Sequence, residues 1–186
     1  MSFVHLHTHT EYSLLDGSNK IKAYVAKCKA EGMTAAAITD HGNMYGVTKF
    51  YDECIAQGVK PVIGCEVYVA PGSRFDREMV KGDDRYYHLI LLAENDQGYH
   101  NLIKIVSAGY VDGFYYKPRV DFEILQKYHE GLICLSACLA GEVARAHQLY
   151  AGDIFEVSRE GFEGNLNNLN AGVAITAIGN KKLVIA

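Results

Sequence analysis

The sequence predicts an α/β protein in which strands and crossover helices alternate around a parallel sheet. Short apolar runs closed by turn residues take turns with stretches of helical periodicity, five times before residue 150. Residues able to bind a metal recur at the ends of successive runs. An apolar content of 49% with 22% charged residues describes an ordered globular chain with its own core. Five units in that length suit an open doubly wound sheet or part of a barrel.

Residues 3–7 read as the first strand, and His5, His7 and His9 then share one face at alternate positions. Ile21, Tyr24, Val25 and Cys28 form a helical stripe within residues 19–31, with Ser18 or Asn19 as cap and Gly32 as its end. Residues 34–39 form a short buried strand ending in Asp40-His41-Gly42. Residues 44–57 form a second helix closed by Gly58, and residues 61–69 a third strand carrying Glu66. The stretch 71–85 is a long charged loop, a pattern that often marks a functional flap. Residues 87–92 form a strand with His88 near its start, and residues 95–108 a helix capped by Asn95. Residues 109–120 read as an aromatic loop, followed by a short helix capped by Asp121. Residues 131–136 form the fifth strand, with Cys138 just after it and a helix over about 139–150.

The charge balance excludes one class of partner as a global effect. A net charge of −4 gives no overall attraction to nucleic acid, so such binding must rest on local patches. Arg74, Arg77, Lys81 and Arg85 on one loop, and Lys117 and Arg119 on another, are candidates for a phosphate backbone. The alternative is a solvated loop balanced by Asp76, Glu78, Asp83 and Asp84. No apolar run approaches the length of a membrane span, and no secretory signal opens the chain. Five cysteines without a Cys-x-x-Cys pair suit a reduced, cytoplasmic chain with buried thiols.

The chemistry gathers at the strand ends. His7 and His9 end the first strand, Asp40 and His41 the second, and Glu66, His88 and Cys138 lie in or after the next three. In a parallel barrel the carboxyl ends of the strands surround one mouth, where a metal site would sit. Neutral imidazole is the commonest metal ligand, and a carboxylate inside an apolar strand is costly unless paired or metal-bound. Asp16, at the turn before Gly17, lies one loop from the imidazoles. Asp40 has a plainer reading as a helix cap, and Cys138 as a small packed hydrophobe. His5 lies early on its strand and suits a supporting position. His100, His129 and His147 read as solvated.

His7-Thr8-His9 with Asp16-Gly17, Thr39-Asp40-His41-Gly42, Gly64-Cys65-Glu66 and Tyr87-His88-Leu89 resemble the PHP (polymerase and histidinol phosphatase) family. Within it the likeness is closest to the PHP domains that begin the alpha subunits of bacterial DNA polymerase III. Lys49-Phe50-Tyr51, residues 73–77, residues 113–119 and residues 131–141 carry that closer likeness, which spans about residues 2–146. The resemblance implies a distorted (β/α) barrel holding up to three divalent metal ions, Zn, Mn or Fe. By resemblance His7 and His9 hold one metal, Asp16 and His41 a second, and His88 and Cys138 a third. Glu66 bridges metals, Asp40 orients His41, and Asp40, His41 and Glu66 form the catalytic group.

Two departures qualify the expectation. The family draws further ligands from a late Asp-x-His motif, and this chain has none after residue 138. Residues 147–186 do not resemble the polymerase subunit, and read as a tail with a possible hairpin around Gly179-Asn180-Lys181. The expected barrel is therefore incomplete, lacking its late strands. Three functions follow by resemblance. The first is a phosphoesterase of 3′–5′ exonuclease type acting on single-stranded DNA or a primer terminus within a replicative polymerase, weak or absent in this chain alone. The second is an interaction module for the other polymerase domains or a proofreading exonuclease subunit. The third is a free-standing histidinol-phosphatase-like enzyme.

Overall fold

The computed structural model describes residues 3–78 and 85–149, with side chains described as far as residue 145. The tail beyond residue 149, Lys81 and the expected hairpin near residue 180 lie outside the described residues. The elements run in the order α1 (Ile21–Ala30), β1 (Ala35–Ile38), α2 (Val47–Gln57), β2 (Lys60–Val69), β3 (Tyr87–Ala93), α3 (Asp96–Val111), β4 (Phe114–Tyr115), β5 (Lys117–Val120), α4 (Phe122–Tyr128), β6 (Leu132–Leu135) and α5 (Glu142–Leu149).

The architecture is α/β, but the sheet is mixed where a parallel one was expected. β1 and β5 pair with β2 in parallel, whereas β2–β3 and β3–β6 are antiparallel. The reason lies in the connections. The link from β2 to β3 contains no described helix, so β3 returns beside β2 in the opposite direction, as a connection without a crossover allows. β2 is long enough to serve two partners on one edge: β1 along Lys60–Ile63 and β5 at Tyr68 and Val69. Among the described residues the sheet stays open, with β4 at one end and β6 at the other.

The sequence alternation of β2 divides its two faces. Cys65 and Val67 pack with Leu91, Cys134, Leu102, Ile105 and Ile124 beneath α3 and α4. Residues paired across an antiparallel ladder share a face. Glu66 opposite Ile90 and Tyr68 opposite His88 therefore point together to the other face. There Ile90, Leu92 and Leu135 form an apolar floor, with Leu6 resting against it. A third cluster joins α1 and α2 to β1 through Ile21, Val25, Ile38 and the wholly buried Phe50. Each such large side chain contributes roughly 1.5–3 kcal/mol on burial.

The helix ends show which local signals operate. Asn95 caps α3 by accepting from the Gly98 N–H, and Asp121 caps α4 by accepting from the Ile124 N–H. Gly58 closes α2 in the left-handed conformation. The start of α1 differs from expectation: Lys20 occupies the cap position without a side-chain bond, and Asn19 instead donates to the His9 carbonyl. The expected first strand does not form. Only Thr8 reaches β1's end, where its carbonyl accepts from the Thr39 N–H and its own N–H donates to Thr39 Oγ1. A hydroxyl thus takes the place of a ladder partner and ends the pairing after one residue. The aromatic stretch expected as loop contains a tight hairpin, β4–β5, turning at Tyr116 with φ 60°.

Cys28, Cys54, Cys65 and Cys134 are buried free thiols, and Cys138 is exposed. Burial pushes the Cys54 and Cys134 thiols up to about 12, so both stay protonated and inert. Among the described residues, no helix is long and apolar enough to cross a membrane.

Candidate metal centre

Glu66 is the centre of the site. Its side chain is wholly buried, and four imidazoles surround the carboxylate. Oε2 lies 3.1 Å from His7 Nε2, 2.9 Å from His9 Nε2 and 3.3 Å from His41 Nδ1. Oε1 lies 2.6 Å from His88 Nδ1. β2 and β3 supply Glu66 and His88, while the extended N-terminal segment supplies His7 and His9. His41 follows β1 and forms a parallel bridge with Glu66 itself. Burial opposes the charge on Glu66, but the imidazoles of His7, His88 and His9 outweigh it and hold the carboxyl far below the usual carboxylate range. Burial lowers the basicity of His9, yet Glu66 more than compensates and its pKa is raised.

The donor set suits a cation better than it suits itself. His7 Nε2 and His9 Nε2 stand 3.0 Å apart, and both face the same oxygen. Glu66 Oε1 and His41 Nδ1 are buried without a hydrogen bond. The short contact from His88 to Oε1 lacks hydrogen-bond geometry, so proximity alone does not satisfy it. Two sets of three ligand atoms result, His7–His9–Glu66 and His41–Glu66–His88, each within 4.8 Å and sharing the carboxylate. Imidazole and carboxylate donors suit a divalent metal, and three protein ligands leave a coordination position open.

Asp16 and Cys138 fall outside both sets. Asp16 Oδ2 lies 3.0 Å from His41 Nε2, on the side of the ring away from Glu66. That contact with His41 outweighs the opposing effect of burial and lowers the Asp16 pKa. Cys138 Sγ lies 3.8 Å from His88 Nδ1 and accepts from the Ala140 N–H. The structure therefore joins His88 to His41 through Glu66, with Asp16 and Cys138 each touching one imidazole. His5 turns to Phe3, and His100 and His129 bond the backbone of their own helices.

Asp40 does not touch the His41 ring. Its Oδ1 accepts from the Thr10 N–H and the Ser13 hydroxyl, and its Oδ2 from the Thr10 hydroxyl. Ser13 Oγ in turn accepts from the His41 N–H. Asp40 thus fixes the loop that carries Asp16 and reaches His41 through Ser13. Sequence reasoning passed over Ser13, Thr10 and Tyr68. Tyr68 had a usable signal: it stands two residues after Glu66 on a strand, hence on the same face. Its ring lies 6.2 Å from His41 and 5.3 Å from His88.

The loop cations divide into two kinds. Arg74 and Arg119, expected as phosphate contacts, are buried instead. Arg74 pairs with Asp121 at 2.9 Å, and Arg119 donates to the carbonyls of Gly113, Arg74 and Asp76. A guanidinium has five donors; carbonyls take up those of Arg119 and the Asp121 carboxylate those of Arg74 Nη1, while Arg74 Nε is buried without a hydrogen bond. Arg77 likewise bonds the Arg74 carbonyl. Lys117 and Arg85 stand on aromatic rings, over Tyr68 and Tyr116.

Comparison with known proteins gives the family. The sequence pattern of the PHP domain matches residues 5–175. The chain belongs to the PHP domain family. DNA polymerase III subunit alpha from Treponema pallidum is 56% identical over 143 residues, covering 77% of this chain and 12% of that protein. The same subunit from Chlamydia pneumoniae is 51% identical over 146 residues, covering 78% of this chain, and that from Aquifex aeolicus 51% identical over 144 residues, covering 75%. The chain spans 12% of the length of each of these relatives. Among solved structures, an amidohydrolase from Chromobacterium violaceum aligns at a TM-score of 0.39 with 19% identity, covering 56% of this chain and 34% of that one. So loose a likeness carries no argument.

Proposed function

We propose that this PHP domain is the metal-dependent phosphoesterase module of a replicative DNA polymerase III alpha subunit, acting in the cytoplasm. The observation that carries the reading is the single buried carboxylate shared by two sets of imidazoles. The identity to polymerase alpha subunits supports the context. Zn, Mn or Fe suits imidazole and carboxylate donors. A metal held by His7, His9 and Glu66, or by His41, Glu66 and His88, would polarise a phosphoryl oxygen and make bound water acidic. The protein's own part is to fix those donors. Glu66 is locked between four rings, and Asp40 and Ser13 set the His41 backbone. DNA, the remaining polymerase domains and a proofreading exonuclease subunit are the partners this reading implies.

Turnover depends on these donors being held in place, because misplacement by about 1 Å costs on the order of a hundredfold. The test is hydrolysis of a generic phosphodiester and of 3′-labelled single-stranded DNA with added Mn or Zn. Slow hydrolysis that stops with chelator and in His41→Ala supports the proposal. No hydrolysis at saturating metal would leave the second reading, an interaction module, which β6 as an edge strand among the described residues favours.

A further inference from the structure

Ser13 touches both halves of the metal centre through one buried hydroxyl. The residue is 2% exposed. Its Oγ lies 2.7 Å from Asp40 Oδ1, 3.1 Å from the His41 backbone nitrogen and 3.5 Å from His9 Nδ1. The rings of His9 and His41 stack 4.0 Å apart, which brings both residues within reach of a single atom. A hydroxyl has one proton and two lone pairs. The His41 N–H can only donate, and it occupies one lone pair. The proton goes to Asp40, because a carboxylate only accepts, carries charge and stands nearest. Asp40 is buried and forms no ion pair among the described residues; its other donors are the N–H and hydroxyl of Thr10. One lone pair of Ser13 Oγ remains, and the group facing it is His9 Nδ1. That nitrogen can meet a lone pair only by carrying a proton.

We propose that Ser13 is a positioning residue for the metal centre: it relays the Asp40 carboxylate to His9, keeps a proton on Nδ1 and so leaves Nε2 as the ligand atom. The proposal rests on the metal-centre reading and adds a residue that acts through His9. In the metal-free chain Nε2 faces Glu66 Oε2 at 2.9 Å while Nδ1 faces Ser13, so each ring nitrogen has an acceptor. Where a cation sits beside Glu66, Nε2 gives its proton up to solvent and Nδ1 keeps its own. An imidazole that donates its second N–H is fixed in tautomer and ring orientation and binds metal more strongly. His41 shows the same arrangement without the intermediary, with Asp16 on Nε2 and Glu66 on Nδ1. Ser13 shapes that contact too, since its carbonyl accepts from the N–H groups of Asp16 and Gly17.

The experiment is ring-nitrogen NMR and zinc titration on the full chain carrying isotope-labelled histidine, with the His9 signals assigned from their absence in His9→Ala. In metal-free protein at about pH 6, below the ordinary histidine pKa, the wild type should show a persistent Nδ1 proton, lost to solvent exchange in Ser13→Ala. With zinc bound, His9 should show a protonated Nδ1 and a metal-bound Nε2. Zinc affinity, from competition with a chelating indicator, should fall about 10–100-fold in Ser13→Ala. Ser13→Thr keeps the hydroxyl and should restore both the signal and the affinity. Thr10→Val removes a different hydroxyl from the same carboxylate and so gauges mere loosening of the loop. It should keep the Nδ1 signal and lose less affinity than Ser13→Ala. Thermal melts check folding, and the wild-type signal is read without any variant having to fold. Zinc held through His9 Nδ1, a wild-type Nδ1 proton that exchanges as fast as in Ser13→Ala, or equal loss of affinity in Thr10→Val and Ser13→Ala would overturn the proposal. A persistent, Ser13-dependent Nδ1 proton in a chain that binds no zinc would remove the metal-centre reading while upholding the relay from Asp40 to His9.

Discussion

His9 Nε2 lies 2.9 Å from Glu66 Oε2, and the carboxylate is sealed from solvent. The pair links protonation, metal and stability through one contact. In the metal-free chain the imidazole gains from holding a proton beside the carboxylate. A bound cation takes the same place and requires the imidazole neutral.

The first prediction is a pH dependence with opposite signs in the two states. His9 has its pKa raised above 6.5, so its contribution in metal-free protein is full below that value and fades as pH rises through the raised one. Glu66 has its pKa lowered from 4.5, so its contribution holds above that value and is lost as pH falls through the depressed one. The pair therefore stabilises the metal-free chain most between about pH 4.5 and 6.5. Stabilisation by added metal should instead grow with pH as His9 gives up its proton. Thermal melts with and without Zn from pH 5 to 8 check this. A metal-induced shift that shrinks with rising pH would refute it.

The second prediction concerns Asp121. It accepts from the Arg74 backbone N–H at 2.8 Å, pairs with the Arg74 guanidinium and caps α4, all in a buried setting. Asp121→Ala leaves Arg74 buried with only the exposed Glu123 and Asp112 nearby. The expected loss is about 3–5 kcal/mol, as for a buried pair that loses one partner. Urea melts measure it. A loss under about 1 kcal/mol, the scale of a surface pair, would mean that Arg74 is well solvated.

A third prediction follows from Gly42. Its φ is +62°, and an added Cβ would meet Tyr68 Cε2 at 2.7 Å. The left-handed backbone and the packed ring both oppose a side chain there. Gly42→Ala should cost about 1–3 kcal/mol and displace Tyr68 from beside His41. An unchanged melting temperature would contradict the packing described for Tyr68.

The periodicity of residues 21–30 and 47–57, and the caps at Asn95 and Asp121, were plain in the sequence because local chemistry decides them. The convergence of His41 and His88 on Glu66 could be read from the recurrence of polar residues at run ends, whereas His7 and His9 reach Glu66 from a segment that forms no strand, so the alternation expected of them does not operate. Strand direction could not be read. β3 runs against β2 because of a connection whose path is a tertiary matter, and no residue in β3 marks it. The missing first strand turns on one hydroxyl, Thr39 Oγ1, standing in for a backbone partner. Arg74 looked like a surface cation in a charged loop. Its burial depends on Asp121, 47 positions away, which no local pattern reports.

The central claim is that His7, His9, His41 and His88 hold a divalent metal through Glu66. The most direct measurement is elemental analysis of the chain after exhaustive dialysis, for wild type, His9→Ala and Glu66→Gln. At least one transition metal per wild-type chain, falling to trace levels in Glu66→Gln and reduced in His9→Ala, is the expected result. Substoichiometric metal in the wild type, unchanged in both variants, would contradict it.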